Sequence, residues 1–149
     1  LGTMTLAATD AALVGAWFDG QQHQPDFNAW PAQAQHPVLH AACQQLLEYF
    51  AGTRQHFALP LDLSGGTAFQ QAVWAQLQQI ASGSTVSYGH ISQHIQNPAA
   101  VRAVGAAVGR NPISVIVPCH RVLGAHGALT GYAGGLDRKI ALLQLERNK

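Results

Sequence analysis

Cysteine and charge are scarce in this chain of 149 residues, and long apolar runs are absent. The two cysteines, Cys43 and Cys119, lie far apart and form neither a disulfide framework nor a Cys-x-x-Cys metal pattern, which is typical of a reducing compartment. No apolar stretch approaches the roughly 20 residues that a membrane-spanning helix needs, and no signal peptide is evident. Apolar residues still make up 48% of the chain, enough to build a core. We therefore expect a globular, cytoplasmic protein.

The net charge of +1 hides an uneven distribution. Residues 1–62 carry one basic and five acidic residues, a net charge of −4, whereas residues 63–149 carry seven basic and two acidic residues, a net charge of +5. A basic half favours contact with phosphates. A solvated basic face is the alternative explanation of the same pattern.

The first part of the chain has the pattern of a small α/β domain. Alternating residues predict a hairpin with strands at residues 3–8 and 11–18, followed by an extended loop. A helix is predicted from Pro37 to about Ala51, and residues 57–63 have the composition of an edge strand. The apolar face of that helix comprises Leu39, Leu46, Leu47 and Phe50. The Ser-Gly-Gly-Thr run at residues 64–67 predicts a boundary between domains at 1–64 and 65–149.

The second part has the pattern of a helix-turn-helix domain. A helix capped near Thr67 and ending around Gly83 is predicted from the spacing of Phe69, Val73, Leu77 and Ile80. A second helix begins near Tyr88, and a third runs from Pro98, capped by Asn97, to about Arg110. The fold class is therefore α+β, with a small amino-terminal sheet and helix domain followed by a mainly helical, winged-helix-like domain.

The third helix has two contrasting faces. Val101, Val104 and Val108 are predicted to face the core, whereas Arg102, Ala106 and Gly109 form the other face. Glycine inside a helix costs about 1 kcal/mol relative to alanine, so Gly105 and Gly109 need an explanation. Close approach to a nucleic-acid groove and close packing against another helix both remain open.

A cysteine follows the most apolar segment of the chain. Residues 113–117 predict a buried strand that Pro118 ends, which delivers Cys119 to the strand terminus. A thiol attacks only as thiolate, which needs a positively charged or proton-accepting neighbour. His120 and Arg121 directly follow Cys119 in the sequence and are such neighbours. Glu146 follows Leu142 on the inward stripe of the last helix, where a carboxylate requires a partner. Taken singly, Cys119 could instead be a buried structural cysteine, and Glu146 could lie at a frayed, solvated helix end.

Four motifs in one order carry a family resemblance: Ser87-Tyr88-Gly89, Asn111-Pro112, Pro118 to Val122, and Gly131-Tyr132-Ala133-Gly134-Gly135. From about Thr67 to Glu146 the chain resembles the O6-alkylguanine-DNA alkyltransferases, and the first third resembles them more loosely. The resemblance implies a methylated-DNA–[protein]-cysteine S-methyltransferase that moves an alkyl group irreversibly from O6 of guanine, with O4 of thymine as a second candidate, to Cys119. It requires no cofactor.

The resemblance also implies roles for individual residues. The catalytic set is Cys119, His120 as base through a bridging water, Glu146 as its orienting partner, Tyr88 and Asn111. The DNA-binding set is Arg102, Tyr88, Ala103, Ala106, Gly109, Arg110 and Arg121. The substrate-binding set is Tyr132, Ala133, Val122 and Gly134, where Ala133 departs from the serine common in relatives. The implied partner is double-stranded DNA bound through its minor groove with the base flipped out, by a monomer whose cooperative assembly is left open.

Other readings remain. A sensor that binds alkylated DNA without reacting, a Cys-His thiol hydrolase and a redox regulator each use part of the pattern. His36, His40 and Cys43, and separately His90 and His94, have helical spacings that suit metal ligands, but each set lacks a fourth partner. Some relatives bind zinc in the amino-terminal domain through several cysteines and histidines, whereas only Cys43 is present here. We expect no metal.

Overall fold

The computed structural model describes residues 1–26, 32 and 35–147. Two small sheets and a set of helices pack around one continuous apolar core, which confirms the α+β fold class. Within these ranges, no helix has both the length and the apolar character that a membrane crossing requires.

The amino-terminal hairpin forms as predicted. Strands β1 (Met4–Ala8) and β2 (Leu13–Phe18) pair antiparallel, and the Thr9 hydroxyl accepts hydrogen bonds from two backbone N–H groups in the turn. Five of the six β2 residues are buried, with Val14 the exception. The predicted edge strand at residues 57–63 is wrong, because only Leu61 forms a bridge, to Leu13 of β2.

Helix α1 (Pro37–Phe50) begins at the predicted proline. The Nδ1 atom of His36 accepts a hydrogen bond from the backbone N–H of Val38 and caps the first turn. The buried stripe of α1 follows spacings of four and three residues through Ala42, Leu46 and Tyr49. Leu47 lies off this stripe and is 62% exposed, so its assignment to the apolar face is wrong.

Helix α2 (Ala68–Leu77) carries the predicted cap. Thr67 and Gln70 form a capping box in which each side chain accepts from the other residue's backbone N–H. The helix ends at Leu77 rather than near Gly83, and Ile80 is buried in the turn that follows. The indole Nε1 of Trp74 donates to the carbonyl of Ala107 at 2.8 Å and fixes α2 against the helix that carries Ala107.

Helices α3 (Tyr88–His94) and α4 (Val101–Gly109) pack together as the predicted helix-turn-helix pair. The Ser87 side chain caps α3. The predicted start of α4 at Pro98 with Asn97 as cap is wrong, because residues 97–100 form a turn. Val101 is consequently 42% exposed, and the buried face of α4 comprises Val104, Ala107 and Val108.

The predicted strand at residues 113–117 is also wrong. Ile113 alone bridges to Ala16 of β2, and the chain then turns, with the N–H of Val117 donating to the carbonyl of Ile113. Val115 has a φ of +72°, a conformation that costs a β-branched residue about 1–3 kcal/mol. The whole run is buried, so its apolar composition reflects burial, and periodicity does not distinguish a buried turn from a buried strand.

A short parallel pair joins two distant parts of the chain. Strand β3 (Val86–Ser87) pairs with β4 (Val122–Leu123), so the start of α3 lies beside the segment that follows Cys119. Helix α5 (Leu136–Arg147) then packs against the 3-10 turn Cys119–Arg121. These two contacts assemble the candidate site.

Candidate active site

The turn that precedes Cys119 is built around Asn111. The buried Asn111 amide donates from Nδ2 to the carbonyl of Val117 at 2.7 Å, and its Oδ1 accepts from the N–H of Ile113 at 3.0 Å. The segment is attached to β2 by the N–H of Ala16, which donates to the carbonyl of Pro112. Asn111 therefore fixes the path of the chain into Cys119.

Cys119 is 4% exposed and begins the 3-10 turn. Burial raises the pKa of its thiol, while hydrogen bonding by Asn111 and the positive charge of Lys139 act in the opposite direction without reversing the shift. The resting group is thus a thiol, and it needs a base before it can attack as thiolate.

His120 has the properties of that base. Its Nε2 lies 2.7 Å from Oε2 of Glu146, and both side chains are buried. Because a carboxylate only accepts hydrogen bonds, Nε2 carries the hydrogen and Nδ1 keeps a free lone pair. Nδ1 is buried and has no partner among the described residues. Burial lowers the pKa of His120 despite the opposing hydrogen bond with Glu146, so the resting ring is neutral.

Glu146 is the centre of a buried hydrogen-bond network. Besides His120, its carboxylate accepts from Arg121, with Nε 2.9 Å from Oε1 and Nη2 2.8 Å from Oε2, and from the Tyr49 hydroxyl at 2.6 Å. Burial alone would raise the pKa of Glu146, but hydrogen bonds from His120 and Arg121 outweigh it and hold that pKa well below its usual value.

Arg121 does not lie where a DNA contact requires it. Its side chain is buried against Glu146, and Nη1 donates to the carbonyl of Ile80 at 2.6 Å. A guanidinium held in this way cannot also neutralise a phosphate at the surface. We therefore correct its assignment, remove Arg121 from the DNA-binding set and assign it to the network around Glu146.

Two members of the site were missed by the sequence interpretation. Lys139 is fully buried, with Nζ donating to the carbonyls of Val122 at 2.7 Å and Thr130 at 3.0 Å, and burial lowers its pKa. Lys139 precedes Glu146 by seven residues, so helical spacing places both on the inward face of α5. This spacing could have predicted that Lys139 is buried. For Tyr49, the stripe of α1 indicates burial, but no local pattern links it to Glu146.

A cleft of about 430 Å³ lies between α4 and the loop at residues 130–133. Its walls include Tyr88, Gly105, Gly109, Tyr132 and Ala133. The Tyr132 hydroxyl is buried near Cys119, and its pKa is raised well above the usual value, first by burial and then by the negative charge that Cys119 carries once it is ionised. Tyr132 thus connects the cleft with the cysteine.

Two other residues predicted to bind substrate are buried rather than lining this cleft. Val122 lies in the core, and its carbonyl is held by Lys139. Gly134 supports the wall from inside, because a Cβ added there would lie 2.7 Å from the ring of Tyr132 and 3.1 Å from that of Phe18. Only glycine fits between these two rings.

The outer face of α4 borders the cleft. Arg102, Ala103, Ala106 and Arg110 are exposed there. A Cβ added to Gly109 would meet no atom within 4 Å, and one added to Gly105 would make ordinary contact with Tyr88 at 4.0 Å. Packing against the described residues therefore does not require either glycine, and the close-packing explanation fails for Gly109.

The histidine patterns have local partners. His36 caps α1, and the Nδ1 atom of His94 is 2.8 Å from the carbonyl oxygen of His90 one turn earlier. Among the residues that the structure describes, no group of three or more His, Cys, Asp or Glu side chains is arranged to hold a metal ion.

Two family descriptions together match almost the whole chain. The "6-O-methylguanine DNA methyltransferase, DNA binding domain" matches residues 68–148, and the "6-O-methylguanine DNA methyltransferase, ribonuclease-like domain" matches residues 1–63. The methylated-DNA–protein-cysteine methyltransferase of Mycolicibacterium paratuberculosis is 49% identical over 147 residues, covering 99% of this chain and 87% of the relative. The protein of the same name from Haemophilus influenzae is 42% identical over 148 residues, covering 99% and 82%.

Solved structures show the same likeness in three dimensions. The crystal structure of Mycobacterium tuberculosis OGT in complex with DNA superposes with a TM-score of 0.90 at 44% identity, covering 99% of this chain and 91% of that one. The O6-methylguanine methyltransferase of Mycobacterium tuberculosis superposes with a TM-score of 0.89 at 47% identity, covering 99% and 87%. This chain belongs to the 6-O-methylguanine DNA methyltransferase family.

Proposed function

We propose that this protein repairs DNA by direct reversal, transferring the alkyl group from O6 of guanine to the sulfur of Cys119. The observation that carries the proposal is the buried Cys119 thiol, followed in the chain by a neutral His120 that is hydrogen-bonded to the ionised Glu146. The cleft wall residue Tyr132 lies near the same cysteine. O4 of thymine offers the same alkyl-oxygen bond in a smaller base and is a second candidate substrate.

The reaction is an in-line displacement at the alkyl carbon. The Cys119 thiol gives its proton to Nδ1 of His120 through a bridging water, the sulfur–carbon bond forms, and the carbon–oxygen bond to guanine breaks. The leaving guanine takes up one proton, so the thiol hydrogen is balanced by the hydrogen of restored guanine. No external oxidant, reductant or cofactor enters. The thioether product has no route back to thiolate, so each molecule acts once.

Burial suits this chemistry in two ways. His120 is neutral and keeps Nδ1 as an acceptor, because burial lowers its pKa. Once it takes the proton, the imidazolium lies against the ionised Glu146, which stabilises the charge formed during the reaction. Asn111 and Lys139 supply hydrogen bonding and positive charge that favour the thiolate.

We further propose that α4 enters the minor groove of duplex DNA. A base inside the stack does not expose O6 to a buried thiol, so the target must be flipped into the cleft. The exposed Arg102 is long enough to fill the gap, Tyr88 lies at the cleft wall, and the small residues Ala103, Ala106 and Gly109 allow close approach. Arg110 adds a phosphate contact. Binding as a monomer and a cytoplasmic location stay predictions.

The test is mass spectrometry of the Cys119 peptide after incubation with a duplex that contains one O6-methylguanine. We expect a methyl group on Cys119, restored guanine and a yield that stops at one per protein molecule. Cys119→Ser and an unmodified duplex are the matched controls, and neither should give methylated protein. Lesion-selective binding with an unmodified Cys119 would instead indicate a sensor, and repeated turnover would indicate a hydrolase.

A further inference from the structure

We propose that Tyr49 of the amino-terminal helix α1 is a positioning residue for alkyl transfer, acting through the hydrogen bond that it donates to Glu146. The inference rests on the proposed roles of His120 and Glu146. It assigns to the amino-terminal part of the chain a place in the chemistry, in addition to its place in the core.

The geometry of this contact is well defined. The Tyr49 hydroxyl is 2.6 Å from Oε2 of Glu146, and the Tyr49 side chain is fully buried. The ring lies 5.2 Å from that of Phe50 in an edge arrangement and 5.5 Å from that of Phe57. Aromatic contacts on two sides hold the ring, so the hydroxyl has little freedom to leave the carboxylate.

The hydroxyl shares one oxygen with the relay. Oε2 of Glu146 accepts from Tyr49, from Nε2 of His120 and from Nη2 of Arg121. Burial raises the pKa of Tyr49 far above its usual value, so the group stays a donor throughout the working range. Each donor draws electron density from the carboxylate, and the oxygen becomes a weaker acceptor for the histidine.

Removing the hydroxyl changes the balance at His120. With one donor fewer, Oε2 attracts the Nε2 hydrogen more strongly and stabilises the protonated ring. The other charged groups that act on His120, Arg121 and Lys139, oppose protonation and stay in place. More of the resting enzyme then holds an imidazolium, which cannot accept the thiol proton. The ring also loses the neighbour that fixes the position of the carboxylate.

The variant that tests this is Tyr49→Phe, which keeps the ring and deletes the hydroxyl. The rate constant of methyl transfer would be measured in single-turnover experiments at saturating duplex across the pH range. We expect a loss of about tenfold at neutral pH, typical of a hydrogen bond to a charged group, and an acid limb displaced to higher pH. Phe57→Leu is the control, because it disturbs the same packing and leaves the hydroxyl.

A double-mutant cycle separates positioning from simple stability. Tyr49→Phe should have little effect on the rate in a Glu146→Gln background, because its action passes through the carboxylate. The NMR shift of the hydrogen on Nε2 of His120 reads the same bond without DNA and should move in Tyr49→Phe but not in Phe57→Leu. A lowered melting temperature with an unchanged pH profile and an unchanged shift would overturn the inference.

The result also distinguishes this inference from the proposed function. If His120→Ala slows methyl transfer and Tyr49→Phe does not, Tyr49 is structural and the relay stands. If His120→Ala transfers methyl at the normal rate, the proposed relay fails and the role of Tyr49 fails with it.

Discussion

Arg121 and Glu146 form a two-point ion pair in the interior, with Nε 2.9 Å from Oε1 and Nη2 2.8 Å from Oε2. The pair cancels the charge of the carboxylate and leaves Oε2 accessible to His120. Two opposite charges hold each other in a fixed geometry, so the neutral imidazole is oriented without carrying a charge itself. The arginine nearest the cysteine in sequence thus serves the site from inside the protein.

Breaking this pair should reduce both stability and rate. Glu146→Gln leaves the Arg121 charge buried without its partner, which typically costs about 3–5 kcal/mol. The amide can also present its NH₂ group to His120 and favour the wrong tautomer, so methyl transfer should slow about a hundredfold. Urea unfolding and single-turnover kinetics measure the two effects.

Glu48→Gln is the matched control for Glu146→Gln, because Glu48 pairs with Arg54 at a partly exposed site of α1. This variant should change stability and rate very little. Equal losses in the two glutamine variants would contradict the buried network.

Stability should depend on the protonation of His120. The folded pKa lies below the reference value of 6.5, so between the two values the unfolded chain binds more protons. The free energy of unfolding should therefore fall as pH drops through 6.5 towards the folded pKa, by up to about 1.4 kcal/mol per pH unit. Urea titrations at a series of pH values measure this slope.

His120→Gln is the test variant, and His56→Gln is its control because His56 is exposed. The slope should disappear in the first variant and persist in the second. Methyl transfer in the unmodified protein should keep its full rate to below pH 6.5. A rate that already declines above pH 6.5 would mean that His120 is charged at rest, which would contradict a neutral, buried imidazole.

The wall of the cleft should not tolerate a methyl group at position 134. Gly134→Ala brings a Cβ within 2.7 Å of the Tyr132 ring, so the ring must move, and overpacking of this kind costs about 1–3 kcal/mol. Methyl transfer should slow because Tyr132 leaves its place beside Cys119. Gly65→Ala, where a Cβ would meet no atom within 4 Å, should keep both stability and rate. Thermal unfolding and kinetics of the two variants decide between these outcomes.

Arg102 should matter for duplex DNA and not for a small substrate. Arg102→Ala should slow transfer from a duplex by about tenfold, because the gap left by the flipped base is no longer filled. Transfer from a free O6-alkylguanine nucleoside needs no flipping and should be unchanged. Arg54→Ala, the same charge change in the amino-terminal part, should alter neither rate. A loss with both substrates in Arg102→Ala would indicate a structural role.

Local signals predicted much of the fold. The hairpin, the start of α1 at Pro37 and the helix cap at Thr67 depend on residues close together in sequence, and all three predictions are confirmed. The strand predicted at residues 113–117 is wrong because the sequence there indicates burial but not the conformation of the backbone. Residues 113–117 are apolar because they are enclosed, and the turn that they adopt depends on the Asn111 amide, which replaces the pairing of a strand.

The sequence by itself determined the hairpin, the starts of α1 and α2 and the reactive pair Cys119–His120, because neighbours in the chain stay neighbours in the fold. It also indicated Glu146, since helical spacing fixes which side of α5 faces inward. Only the tertiary structure decided that Arg121 points to Glu146 rather than to solvent, and that Tyr49 reaches the same carboxylate from 97 residues away. Such contacts depend on how whole elements pack, and packing leaves no local pattern in the sequence.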